Sequence, residues 1–163
     1  MKLELQIAPA PILLKKAPKV VKFDQQLEFV ARKMEQVMIA SRGIGIAAPQ
    51  IGFSRRIVIV KDGKENRVMV NPKIIWKNDE VSMDAEGCLS CPGRYRKILR
   101  HTEVKVEFQT LTGRKTTMRL KDFPAICIQH EIDHLNGILI AHHPDPDAKT
   151  EKEEALDFIL GKR

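Results

Sequence analysis

The sequence predicts an α+β fold in which antiparallel strands pack around a central metal-binding helix. Apolar residues recur three and four apart over residues 24–41, the spacing of a helix with one buried face. Short runs with two-residue alternation follow, as half-buried strands require. A second helical stretch, over residues 122–136, comes after the strands instead of alternating with them, so a helix is expected to lie on an antiparallel sheet.

Residues 1–23 read as irregular, because Pro9, Pro11 and Pro18 break regular structure. Asp24 is placed to cap a helix running to about Ser41, with a stripe of Leu27, Val30, Ala31, Met34, Val37 and Met38. Gly43 and Gly45 mark a turn. Residues 56–61 and 68–70 read as buried strands around a turn at Asp62 and Gly63, and residues 74–76 as another short strand. Residues 86–90 read as a small-residue stretch between strands. Val104, Val106 and Phe108 alternate with Lys105, Glu107 and Gln109, and Thr112 with Gly113 turns that strand into residues 115–121. Asp122 is placed to cap the second helix, Pro124 fits its first turn, and Gly137 can end it. Residues 149–160 read as a short amphipathic helix with Ala155, Leu156, Ile159 and Leu160 apolar.

The 163 residues suggest one domain over 1–163, with 43% hydrophobic residues to build its core. No apolar run reaches the roughly 18 residues of a membrane span. The opening stretch carries Glu4 among its apolar residues and lacks the h-region of a signal peptide. Three cysteines, an odd number, do not complete a disulfide framework, so a cytoplasm or an organelle interior is the expected setting. The net charge of +7 fits transient proximity to the ribosome. Its cations (Lys15, Lys16, Lys19 and Lys22; Arg94, Arg96, Lys97 and Arg100) form no dense block with interleaved aromatics. Specific nucleic-acid recognition and membrane binding are therefore not expected.

The chemistry concentrates in Gln129-His130-Glu131-Ile132-Asp133-His134. Four residues on a helix advance about 400°, so the two histidines share one face, one turn apart. Both can grip one metal ion while Glu131 stays free to move a proton. Such a site needs a third protein ligand and an open position. The residues alone leave that ligand open among Cys88, Cys91, Cys127, Glu86, Asp84, His101, His142 and His143. Cys127, three residues before His130, reads as pocket lining, and His142 and His143 as solvated loop residues.

Three segments then appear in order: Gly43-Ile44-Gly45-Ile46-Ala47-Ala48-Pro49-Gln50, Glu86-Gly87-Cys88-Leu89-Ser90 and the histidine segment. Together they resemble the three signature motifs of the peptide deformylase family, over about residues 24–140. The resemblance implies a mixed α+β fold and removal of the formyl group from the initiator formyl-methionine of nascent polypeptides, the substrate partner. By position it implies Cys88, His130 and His134 as ligands of one divalent metal ion. Fe²⁺ would be native, and Zn²⁺ or Ni²⁺ able to occupy the same cage. Glu131 would be the acid/base, and Gln50 with the backbone N–H of Leu89 the oxyanion donors. Ile44, Gly45, Phe123, Ile126 and Cys127 would line the substrate pocket, and Glu86 would support it. Asp133 faces away from the histidines and reads as structural, paired with Arg100. Ile46 stands where the family has leucine, residues 8–12 are an irregular version of its opening, and Glu151, Glu153 and Glu154 make the last helix start acidic. Two other readings share parts of this pattern: a zincin-type endopeptidase, and a non-catalytic ribosome-binding module holding a structural metal.

Overall fold

The computed structural model describes residues 2–148 and Leu160. In chain order it has α1 (Gln25–Ala40), β1 (Gly45–Ala47), β2 (Ile57–Asp62), β3 (Glu65–Lys77), β4 (Val81–Cys88), β5 (Cys91–His101), β6 (Glu103–Gln109), β7 (Lys115–Lys121) and α2 (Asp122–Leu135). Short 3-10 turns at Pro11–Leu14, Ala48–Ile51 and Ile140–His142 complete it. Five strands form an antiparallel sheet in the order β1-β2-β3-β6-β7, and β4 pairs with β5 as a separate hairpin.

The helices lie on opposite faces of the larger sheet. Ile57 and Ile59 point to α1, joining Leu27, Val30, Met34 and Met38. Val58 and Val60 point the other way, joining Ala125, Cys127, Ile128 and Leu135 of α2. Successive strand residues alternate faces, so a strand covered on both sides must be apolar throughout. That is why β2 opens with the unbroken run Ile57, Val58, Ile59 and Val60, each 0% exposed. Asp24 caps α1 as its sequence position implied, accepting from the Leu27 N–H at 3.1 Å.

Three local expectations need correction. Residues 68–70 and 74–76 are not separate strands but parts of the 13-residue β3. Pro72 cannot donate to the ladder, and register shifts between Val70 and Lys73 and between Ile74 and Trp76 absorb the irregularity. Asn71 takes the left-handed turn beside it (φ 51°) and clamps Val20 through two 2.8 Å bonds. Residues 86–88 are not loop but the end of β4, and β5 carries no clean alternation because much of the hairpin faces solvent. Asp122 does not cap α2. It is the first helical residue, at φ 53°, and its N–H donates to Thr102 O at 2.8 Å, which joins the helix directly to the sheet. Except for Leu160, the helix expected over residues 149–160 lies outside the described residues. No helix among the described residues is long and apolar enough to cross a membrane.

Candidate metal centre

α2 is held by its apolar face against β1, β2, β6 and β7, and its other side meets the hairpin. His130 and His134 project from that side, their rings edge to face with centroids 4.9 Å apart. Cys88, at the end of β4, reaches them from the hairpin. The Cys88 Sγ lies 3.2 Å from His134 Nε2, which lies 3.2 Å from His130 Nε2. All three donor atoms fall within 4.8 Å of one another. Neighbouring donors around a tetrahedral Zn²⁺ of ordinary bond lengths would be about 3.3–3.6 Å apart. Two imidazoles and a sulfur at this spacing fit one transition-metal ion.

Electrostatics agree with the geometry. Burial drives His134 well below the usual imidazole range, so it stays neutral, the form that ligates. Burial acts on His130 in the same direction. Hydrogen bonding to Cys88 and Glu86, with the Glu131 charge, outweighs it and lifts His130 to about 10. The sulfur and carboxylates around His130 thus favour a positive charge there, the kind of charge a bound metal cation would supply. Glu86 Oε1 stands 3.5 Å from His130 Nδ1 and orients the ring from behind.

Glu131 is 3% exposed, and burial pushes its carboxyl up to about 7. Its Oε2 has no hydrogen-bond partner among the described residues. Gly45 makes room for it: a Cβ there would collide with Cys127 Sγ and sit 2.5 Å from Glu131 Oε1. The glycine is thus required by close approach of sheet edge and helix. Gln50 Oε1 accepts the Ala47 N–H at 2.8 Å, which turns Nε2 toward the cage, 3.7 Å from Cys88 Sγ and 3.2 Å from Ser90 Oγ. Leu89 directly follows Cys88 and borders the same open cavity of about 840 Å³. Ile44, Gly45, Glu86, Phe123, Ile126 and Cys127 also border it.

Every site residue expected from the motifs borders that cavity except His134, which is buried behind it, 3.2 Å from Cys88 Sγ and from His130 Nε2. Of the other ligand candidates, Asp84, Glu86 and Cys127 border the same cavity without joining the donor cluster, and the other histidines are engaged elsewhere. His142 Nδ1 accepts the Leu139 N–H, and His143 is no solvated loop residue, since its Nε2 bonds Asp133 at 2.8 Å. His101 Nδ1 pairs with Asn78 O. Burial raises the Cys127 thiol well above its ordinary range, and its Sγ donates to Ile44 O at 3.5 Å. Two supporting residues were missed. Ser90 steadies Gln50. Arg100, 6% exposed, holds Glu86 at 3.1 Å and Asp133 at 2.7 Å. The Arg100–Asp133 pair was expected, but nothing in the sequence marked the same arginine as the partner of Glu86.

A Cys-His-His group able to hold one metal ion, beside a buried glutamate, is the arrangement expected of a metal-dependent hydrolase. The family model of polypeptide deformylase matches residues 2–150. A peptide deformylase of Desulfotalea psychrophila is 41% identical over 141 residues, covering 83% of each chain. The crystal structure of peptide deformylase from Thermotoga maritima superposes with a TM-score of 0.85 at 34% identity, covering 90% of this chain and 99% of that one. A Met-Ala-Ser-bound deformylase from Acinetobacter baumannii gives 0.80 at 34% identity, covering 88% and 99%. The chain belongs to the polypeptide deformylase family. It is a hydrolase that removes the N-terminal formyl group from formyl-methionine of nascent polypeptides and releases formate, with a site for a single metal ion. The zincin-type and binding-module readings are not favoured.

Proposed function

We propose that Cys88, His130 and His134 hold the ion, natively Fe²⁺ with Zn²⁺ or Ni²⁺ able to replace it, and that Glu131 moves the protons of formyl hydrolysis. The observation that carries this reading is three converging donor atoms beside one buried carboxylate oxygen that has no hydrogen-bond partner among the described residues. A sulfur donor suits a soft, redox-active ion. When bound, the ion supplies Lewis acidity and makes water acidic near neutral pH. The remaining work belongs to the chain. As water adds to the formyl carbon, negative charge develops on the formyl oxygen. Gln50 Nε2 and the Leu89 backbone N–H are the donors for that charge, and losing one such donor typically costs roughly 3–4 kcal/mol. Gln50 is already oriented by its bond to Ala47, so it need not reorganise. Glu131 takes a proton from the adding water and delivers it to the departing amine nitrogen, leaving formate and a free N-terminus.

The substrate lies along β1, an edge strand of the sheet. Backbone groups of Ile44 and Gly45 pair with it in strand fashion. Its methionine side chain enters the space between Ile44, Phe123, Ile126 and Cys127, where a thioether suits soft apolar walls. The Met-Ala-Ser peptide of the Acinetobacter baumannii relative is the kind of ligand this cleft would hold. Three free cysteines fit a reducing cytoplasm or organelle interior, and the charge of +7 fits transient proximity to the ribosome.

The test is formate release from an N-formyl-methionyl peptide by anaerobic, Fe²⁺-loaded protein, with Glu131→Ala alongside. Release is expected from the wild type and lost in the variant, which still binds metal. Release that survives the substitution would overturn the role of Glu131.

A further inference from the structure

The mechanism leaves Cys91 without a task, yet its position is specific. The link of Leu89 and Ser90 folds β5 back on β4, so Cys88 and Cys91 are opposed as the last pair of the hairpin, beyond a register shift that leaves residues 92–94 unpaired between them and the Gly87–Tyr95 pair. Opposed residues of an antiparallel pair project to the same face, with Cα atoms about 4.5–5.5 Å apart. A disulfide spans roughly 4.4–6.8 Å between Cα atoms. Cys91 is 7% exposed and fixed among Leu13, Ile98, Leu139 and Ile140, with Cys88 packed against the same cluster. Cys127 is turned away, toward Ile44 O. Cys88 is half-buried and borders the open cavity, so a small oxidant reaches it first.

We propose that Cys88 and Cys91 are a reversible oxidative modification site, where a peroxide closes a disulfide that withdraws Cys88 from the metal cage. The Cys88 sulfur attacks one peroxide oxygen and breaks the O–O bond, giving Cys88 sulfenic acid and one water. The Cys91 sulfur then attacks the Cys88 sulfur, which expels its oxygen as a second water. Two thiols lose two hydrogens and two electrons, and one hydrogen peroxide becomes two waters. A dithiol reductant reverses the bond by exchange. Loss of metal rests on Cys88 being a ligand, whereas formation of the disulfide does not.

The experiment treats Zn²⁺-loaded full-length protein with hydrogen peroxide, because zinc is redox-inert. Intact mass, free thiols, peptide mapping and released zinc are read together, and the metal-stripped protein is treated in parallel. The expected result is a loss of two hydrogens, a fall from three free thiols to one, a mapped Cys88–Cys91 bond and release of the zinc. Dithiothreitol should restore all four readings. Cys91→Ser should instead gain oxygen atoms on Cys88 that dithiothreitol does not fully remove, while Cys127→Ser should still form the Cys88–Cys91 bond, its two free thiols falling to none. If Cys91→Ser does not fold, mapping of the wild type decides alone. Oxygen addition without a Cys88–Cys91 bond in wild-type protein would overturn the proposal. The bond forming with zinc retained would keep the modification site and overturn the ligand role of Cys88.

Discussion

Burial lifts the Glu131 carboxyl from an ordinary 4.5 to about 7, and the lift has a thermodynamic consequence. Below pH 4.5 the folded and unfolded chains are both protonated at this residue, so it contributes no difference. Between 4.5 and about 7 the unfolded chain ionises first, and stability falls as pH rises. Above about 7 the full penalty remains, about 3 kcal/mol. Glu131→Gln removes the ionisation. In metal-stripped protein the variant should therefore be more stable than wild type at pH 8, by up to about 3 kcal/mol, and equal to it at pH 4. Urea unfolding at the two pH values measures this. A bound cation favours the carboxylate, so the advantage should shrink in zinc-loaded protein. Equal stability at pH 8 without metal would mean that Glu131 is not strained by its surroundings.

Arg100 ties the β4–β5 hairpin to α2, with which it shares no hydrogen-bonded ladder. It stands on β5, reaches across to Glu86 on β4 and binds Asp133 on α2. Its burial disfavours the charge, but the two carboxylates more than offset that and hold it protonated. The same arginine, together with His130, keeps Glu86 below the usual carboxylate range despite its burial. Removing one member of a buried charge cluster leaves the others uncompensated, at a cost of about 3–5 kcal/mol. Arg100→Ala should lower stability by about that amount. It should also weaken metal binding, because Glu86 would no longer be held behind His130. Thermal unfolding and zinc titration check the two effects. A variant that loses stability but binds zinc normally would separate the ion cluster from the cage.

Across the whole molecule, legibility followed the physics of each part. The α1 stripe, the β6–β7 alternation and the histidine spacing could be read because each has one dry face and a regular period. The ordered motifs brought Gln50, Cys88 and Glu131 together before any coordinates did. β3 does not read as one strand because its apolar pattern breaks around Pro72, which the sheet accommodates with register shifts. The β4–β5 hairpin was largely illegible, since Val81, Met83, Tyr95 and Leu99 are exposed apolar residues among charges. Arg100 as the partner of Glu86 is a contact between residues that do not oppose each other in the ladder, since Arg100 faces Ser82 and Glu86 faces Arg96, and no strand pattern encodes it.

The proposed cage would draw two ligands from a helix anchored in the main core and one from that separate hairpin. Coordination therefore closes a loop of about 40 residues, and loop closure removes freedom from the partly opened states as a cross-link does. Chelation should speed amide hydrogen exchange in residues 81–101 far more than in β2, whose bonds lie under both helices. Re-addition of metal should restore protection, and uniform change across both regions would contradict it. In polymer terms the ion is a removable clasp on an otherwise open ring, so metal exchange and the breathing of the hairpin become a single kinetic event.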